Sequence, residues 1–288
     1  MSGVELTCDR AEGKWRVALW QKGELRDLYL CDIENPDLAG AVAGARAVRI
    51  LPGRKAAWLD AGLKENIYVE NPGNIKAGET LMVRITAAAR KGKALSGVIV
   101  DGETPGRETG IIVKPPRPWQ RAITEMKNGR ITSMSFAERE DREECREWLE
   151  KNAPHLLSAL RPAMETGAWP ELDDILERLK QRVAVLPCGC SVVIEHTEAL
   201  TAVDVNGGDD RNALAVNLRA IREIARQIRL RDITGIIVID AMKMKRREDR
   251  AKVLNALSHA VSGDPAEVRV FGITKLGLIE LTRSRKVL

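Results

Sequence analysis

TAVDVNGG, residues 201–208, is an apolar strand that carries an aspartate and an asparagine two positions apart and then gives way to glycine. Side chains alternate across a strand, so Asp204 and Asn206 share one face with Ala202, while Thr201, Val203 and Val205 share the other. An acidic residue at a strand end is commonly a turn-former or a helix cap, and more than that needs a partner elsewhere in the chain. The partner is GIIVID, residues 235–240, an apolar run closed by Asp240. Such a run is expected of a strand buried on both faces. Between the two lies NLRAIREIARQIRL, residues 217–230, whose Leu218, Ile221, Ile224, Ala225 and Ile228 form one helical stripe.

Strand, helix, strand in that order predicts a crossover between parallel neighbours, with both aspartates at the carboxyl ends where open α/β sheets bind ligands. Two carboxylates and an amide oxygen on one rim suit Mg²⁺, which takes one or two carboxylates and keeps waters for a substrate. Such an ion can polarise a phosphodiester and stabilise a leaving oxygen, so hydrolysis of a nucleic-acid backbone is the chemistry expected of Asp204, Asn206 and Asp240.

Charge points the same way. The 288 residues carry a formal net charge of +5, yet Arg211 to Lys252 alone holds twelve Lys or Arg against five Asp or Glu. A polyanionic partner explains that surplus, and so does a solvated helix face. Arg222, Arg226 and Arg229 follow one another at i, i+4 and i+7 beside the apolar stripe, and on a helix expected beside the acids they are candidates for nucleic-acid contact. The five cysteines, Cys8, Cys31, Cys145, Cys188 and Cys190, form no disulfide framework. The Cys188/Cys190 pair lacks a second pair at zinc-like spacing and reads as small buried or turn residues. No apolar run approaches the roughly 20 residues that span a bilayer, and the first residues lack a secretory layout, so no membrane association and a cytoplasmic location are expected. Phosphate-loop, dinucleotide-binding and serine-hydrolase motifs are absent from the sequence.

Upstream, KWRVALWQ and GELRDLYL flank Lys22-Gly23 and predict a hairpin. From about 38 to 104, ARAVRIL, KAAWLDA, NIYV, ETLMVRITA and ALSGVIV give five short strands with close turns, the pattern of a small OB-type barrel. Trp58 and Tyr68 lie in it, with Lys55, Lys64, Lys91 and Lys93 near in sequence. Each ring is either a platform for single-stranded bases or part of the barrel core. After Lys114-Pro-Pro-Arg-Pro the chain turns helical, over FAEREDREECREWLEKNAPHLLSAL and again from Pro170 through Leu179. His155 and His196 read as structural.

EHTEALTAVDVNGG, the stretch from NLRAIREI to VIDAMKM and GITKLGLIELTRSR closely resemble the catalytic domain of the ribonuclease E/G endoribonucleases, over residues 180 to 285. LPGRKAAWLDAG with NIYV resembles their S1 RNA-binding domain. The resemblance implies a multi-domain α+β and α/β protein. Residues 1–36 and 106–179 would form an RNase H-like fold, 37–105 an inserted S1 domain of OB type, and 180–288 a DNase I-like catalytic domain. It implies that Asp204 and Asp240 hold Mg²⁺, that Asn206 assists, and that water cleaves single-stranded RNA to leave 5′-phosphate and 3′-hydroxyl ends. Trp58, Tyr68 and Lys91 would grip the RNA.

The chain departs from the family pattern at four points. Lys243 stands three residues beyond Asp240, where the family usually has an aspartate. The loop after Asn206 is shorter, IIVKPP replaces the 5′-end sensor, and the zinc-link cysteines are missing, so no zinc-linked oligomer is expected. The departures keep a rival open, a catalytically impaired RNA-binding or regulatory protein with the same fold.

Overall fold

The structure, a computed structural model, describes residues 3–87, 94–101, 108–126, 129–162, 169–186 and 189–284. Two compact units divide the chain, one formed before residue 31 and after residue 121, the other from the residues between.

The first unit opens with β1 (Gly3–Ala11), β2 (Lys14–Gln21) and β3 (Glu24–Asp32). Both connecting turns, Glu12-Gly13 and Lys22-Gly23, hold two consecutive residues at positive φ. That backbone matches the right-handed twist of the strands it joins, and glycine supplies its second position without strain.

The second unit is a barrel of β4 (Val42–Ile50), β5 (Ala56–Asp60), β6 (Ile67–Glu70), β7 (Thr80–Ala87) and β8 (Leu95–Ile99), with β9 (Gly110–Val113) added against β4. The order β5-β6-β8-β7-β4 closes through a further β5–β4 pairing, so the five strands read from sequence form one OB-like barrel. Its interior is fine-grained: Ala43, Ala45, Ala47 and Ala57 pack with Leu59, Ile67, Val83 and Ile85. Gly97 has no room for a side chain, because a Cβ there would lie 2.7 Å from Val83 and 2.8 Å from Ile67.

Helix α1 (Pro118–Glu125) leads back to the first unit, where β10 (Arg130–Phe136) runs parallel to β1 in a sheet ordered β10-β1-β2-β3. Helices α2 (Arg139–Asn152) and α3 (Pro170–Lys180) follow. Leu172 of α3 packs against Ala18, Leu25 and Leu28, and buried Arg16 reaches both Asp9 and Asp173.

The rest of this unit is a second sheet, ordered β11-β12-β13-β14-β16-β15. Its strands are β11 (Val183–Val185), β12 (Ser191–His196), β13 (Thr201–Asn206), β14 (Gly235–Asp240), β15 (Val268–Ile273) and β16 (Ile279–Arg283), with α4 (Ala213–Leu230) and α5 (Arg247–Val261) between them. Only β13 and β14 pair in parallel here, through the α4 crossover. Val216, Ile221, Ile224 and Ile228 of α4 and Val253 and Leu257 of α5 pack on Val203, Val205, Ile237 and Ile239. Both helices thus cover one face. The expectation that GIIVID is buried on both faces is corrected: Ile236 is 51% exposed, because among the described residues no helix covers the opposite face of β14. Among the described residues no helix is long and apolar enough to cross a membrane.

Arg283 at the end of β16 is fully buried and locks two turns to that strand end. Its guanidinium donates to both oxygens of Asp264 (3.0 Å each), to Asp232 (2.9 Å) and to the Ile233 carbonyl (3.2 Å). Breaking a buried pair strands a charge and costs about 3–5 kcal/mol. Arg283→Met is therefore expected to lower unfolding free energy by that order in urea melts, and a loss below 1 kcal/mol would show the network to be dispensable.

Candidate active site

The candidate site grows out of the β13–β14 pairing. Thr201 pairs with Ile237, Ala202 with Val238, Val203 with Ile239 and Asp204 with Asp240, so the two carboxylates end neighbouring parallel strands side by side. Neighbouring strands lie about 4.8 Å apart, within the span of one cation's ligand shell. Burial alternates along β13: Thr201, Val203 and Val205 are buried, and Asp204 and Asn206 are exposed. Asp204, Asn206 and Asp240 thus stand together on the helix-free face. Asn206 donates through Nδ2 to Asp204 Oδ2 at 2.9 Å, which leaves its own carbonyl oxygen as an acceptor on the same rim.

As a donor set, two carboxylates and an amide oxygen, all hard and solvent-facing, fit Mg²⁺. Among the described residues no group of three or more His, Cys, Asp or Glu gathers to hold a metal, and a Mg²⁺ that keeps several waters requires none.

Loop geometry fixes the rim. The turn after Asn206 closes by a bond from the Asp210 amide to the Gly207 carbonyl (3.1 Å). Asp210 then accepts from the Asn212 amide (2.8 Å) and from Arg219 (2.9 Å), and these bonds, the first foremost, hold its carboxyl below the ordinary range. Gly208 sits at φ +58, and a Cβ there would lie 2.6 Å from the Gly189 carbonyl oxygen of the loop before β12.

On the opposite strand end, the side chain of Asn217, one turn into α4, clasps the peptide of Met242. Its Oδ1 accepts from the Met242 amide (3.0 Å) and its Nδ2 donates to the Met242 carbonyl (2.8 Å). Sequence reading missed Asn217. The available signal was a polar residue in phase with the stripe Ile221, Ile224 and Ile228, where only a satisfied amide can be buried.

The arginine row is not beside the acids, which corrects the expectation from helical spacing. Helix α4 lies on the covered face of the sheet, and Arg222 to Arg229 occupy its second half, more than about 13 Å along from its start at 1.5 Å per residue. Arg222, Arg226 and Arg229 instead line a cavity of about 190 Å³ with Arg26, Glu24 and Leu25. Arg226 donates to the Leu25 carbonyl (3.3 Å) and pairs with Glu223, while Arg229 lies 3.7 Å from Asp27 and donates to the Ala260 carbonyl (3.4 Å). The positive charge that leaves the carboxyl ends of β13 and β14 is a different set, exposed Arg211, Lys243, Lys245 and Arg246.

In the barrel unit, Trp58 and Tyr68 pair directly across β5 and β6, with ring centroids 5.1 Å apart and planes tilted by 58°. Their neighbours Ala57, Leu59, Ile67 and Val69 point into the core, and the two rings, half-buried, stand on the outer face with Arg49 opposite Trp58. Lys91 lies outside the described residues, as does Cys188. Cys190 is buried and in no disulfide, and His196 ends β12 with Nδ1 3.0 Å from the Thr201 hydroxyl.

An OB-like barrel in one chain with an open-faced α/β sheet bearing paired strand-end carboxylates defines a two-unit α+β protein with a hard-oxygen site. Comparison with known proteins then gives its family. The model of the ribonuclease E/G family matches residues 83–286. The chain belongs to that family. It is 46% identical over 119 residues to ribonuclease E of Nostoc sp. (39% of this chain, 17% of the relative). It is 43% identical over 155 residues to ribonuclease E of Escherichia coli K12 (48% and 15%) and 32% identical over 178 residues to ribonuclease G of the same strain (58% and 36%). The chain thus spans well under half the length of these relatives.

Gly208→Ala is expected to cost about 1–3 kcal/mol in backbone strain and a further increment from the Gly189 contact. Gly13→Ala, at φ +72 with nothing within 4 Å, incurs strain alone. Urea melts of the pair giving equal losses would show that the Gly208 approach constrains nothing.

Proposed function

We propose that this chain is a metal-dependent endoribonuclease that hydrolyses phosphodiester bonds in single-stranded RNA, with Asp204 and Asp240 holding Mg²⁺ and Asn206 assisting. The observation that carries the reading is the direct Asp204–Asp240 register at adjacent parallel strand ends. Membership of the ribonuclease E/G family supports it, and so do relatives named ribonuclease E and ribonuclease G.

When bound, Mg²⁺ supplies Lewis-acid polarisation of the phosphodiester and charge to match the negative charge developing in the transition state. The chain's own groups do the rest. Asp204 and Asp240 would hold the cation at the rim, and through it the scissile phosphate. Asn206, oriented by its bond to Asp204, presents an amide oxygen to cation or substrate. Water adds to phosphorus as the bond to the 3′ oxygen breaks. The proton goes to that oxygen, and the products carry a 5′-phosphate and a 3′-hydroxyl.

Arg211, Lys243, Lys245 and Arg246 are placed by the chain to hold backbone phosphates on either side of the cut. Trp58 and Tyr68 offer an outward aromatic pair on which bases stack, and every base has a face to offer, so binding there is tolerant of sequence. The four described cysteines form no disulfide with one another, in keeping with action in the cytoplasm.

Cleavage of a labelled single-stranded RNA of roughly 20 nucleotides, a length that covers the site of one OB fold, by the protein and its Asp240→Asn variant, with Mg²⁺ and with EDTA, tests this reading. Internal cuts that require Mg²⁺, vanish in the variant and leave 5′-phosphate ends are expected. RNA bound and uncut in every lane would overturn it in favour of an RNA-binding protein, with Lys243 three residues from Asp240 as the first group to examine.

A further inference from the structure

Asp204 and Asp240 sit on different strands, and each is followed by a loop free to move unless something ties it down. Among the described residues a tie spans both. Asn217 is fully buried on the core side of α4, and its amide makes a two-point bond to the peptide of Met242, two residues past Asp240. Helix α4 is itself capped by Asn212, which accepts from the Ala215 amide (3.2 Å), so Asn217 stands directly after a capped first turn. Met242 carries the restraint onward: its sulfur and terminal methyl lie against Gly207, where a Cβ would come within 2.7 and 3.0 Å of them. Gly207 directly follows Asn206. The path therefore runs from helix to Asp240 loop by hydrogen bonds, and from Asp240 loop to Asn206 loop by packing.

An Asn in the apolar stripe is costly without these partners, since a buried amide lacking hydrogen bonds costs about 1–3 kcal/mol. An aliphatic residue would fill the position with core and leave Met242 unclasped. The polar choice at this point serves the strand end.

We propose that Asn217 is a positioning residue for the metal site: by clasping Met242, and through Met242 the Gly207 turn, it holds Asp240 and the Asp204–Asn206 pair at the spacing one cation needs. This rests on the reading of Asp204 and Asp240 as metal ligands. Asn217 touches neither cation nor RNA. Its loss widens the distribution of carboxylate positions, which weakens metal binding without altering the chemistry of a loaded site.

The test uses the full chain and Mn²⁺, followed by electron paramagnetic resonance as the free ion is taken up, beside cleavage assays over a range of Mg²⁺. Loss of groups that orient metal ligands typically weakens metal affinity about 10- to 100-fold. Asn217→Leu is expected to weaken Mn²⁺ binding and raise the Mg²⁺ concentration for half-maximal cleavage by that order, with kcat recovered at saturating Mg²⁺. Leu257→Ala, in the α5 core, is the control for general destabilisation and should leave Mn²⁺ affinity unchanged. Should Asn217→Leu fail to fold, Asn217→Ser, whose hydroxyl is too short to hold both ends of the Met242 peptide, must show the same direction. Wild-type affinity in a folded Asn217 variant would overturn the positioning role while the metal reading stands. An equal loss in Leu257→Ala would reduce Asn217 to a core residue. Absence of Mn²⁺ binding by the wild-type chain would remove the metal reading itself, and this inference with it.

Discussion

The parallel pairing of β13 with β14 is the constraint on which the candidate site depends. A strand has a period of two, so a register slip of one residue would set Asp240 beside Val203 or Val205 rather than Asp204 and turn one carboxylate toward the helices. The register is held by what lies beneath it. Val203 and Val205 on one strand and Ile237 and Ile239 on the next share a single apolar layer with α4 and α5, and a one-residue slip would turn one pair out of it. Core packing on one face thus determines the chemistry on the other. The buried Arg283 network does the same work at the opposite end of the sheet, where it fastens the turn before β14 and the turn before β15 to the end of β16.

The helices on one side and the acids on the other also decide which positive charges matter. Helical spacing alone groups Arg222, Arg226 and Arg229 into a basic row, but that row rises from the covered face, and Arg226 and Arg229 spend their donors on the Leu25 and Ala260 carbonyls and on Glu223 and Asp27. Arg226 and Arg229, partly buried beside the β2–β3 hairpin, tie α4 to its own unit, while Arg222 stays exposed. The basic residues on the loops after β13 and β14 come from the same run in sequence and share the acid end of the sheet.

Much of this was legible in the sequence. Alternation in TAVDVNGG placed Asp204 and Asn206 on one face, strand–helix–strand order predicted the parallel crossover, and five short strands with close turns predicted the barrel. Lys22-Gly23 announced a hairpin whose turn needs two residues at positive φ. The misreadings have physical causes. An apolar run such as GIIVID reads the same whether its second face meets protein or solvent, so the open face was invisible. Helical periodicity ranks residues around an axis but does not say where along the axis the site lies, which misplaced the arginines. Asn217 was lost because the stripe was traced by its apolar members, and a polar residue in phase with them gives itself away only when its buried partner is known.

The central claim is that Asp204 and Asp240 are halves of one cation site. A double-mutant cycle in Mn²⁺ affinity tests it most directly, with Asp204→Asn, Asp240→Asn and both together, each checked for folding. The account predicts that each single substitution loses most of the affinity and that the double variant loses little more than either alone, because the second ligand has no bound ion left to hold. Additive losses, or a single variant that binds Mn²⁺ as the wild type does, would contradict it and assign the two carboxylates to separate duties.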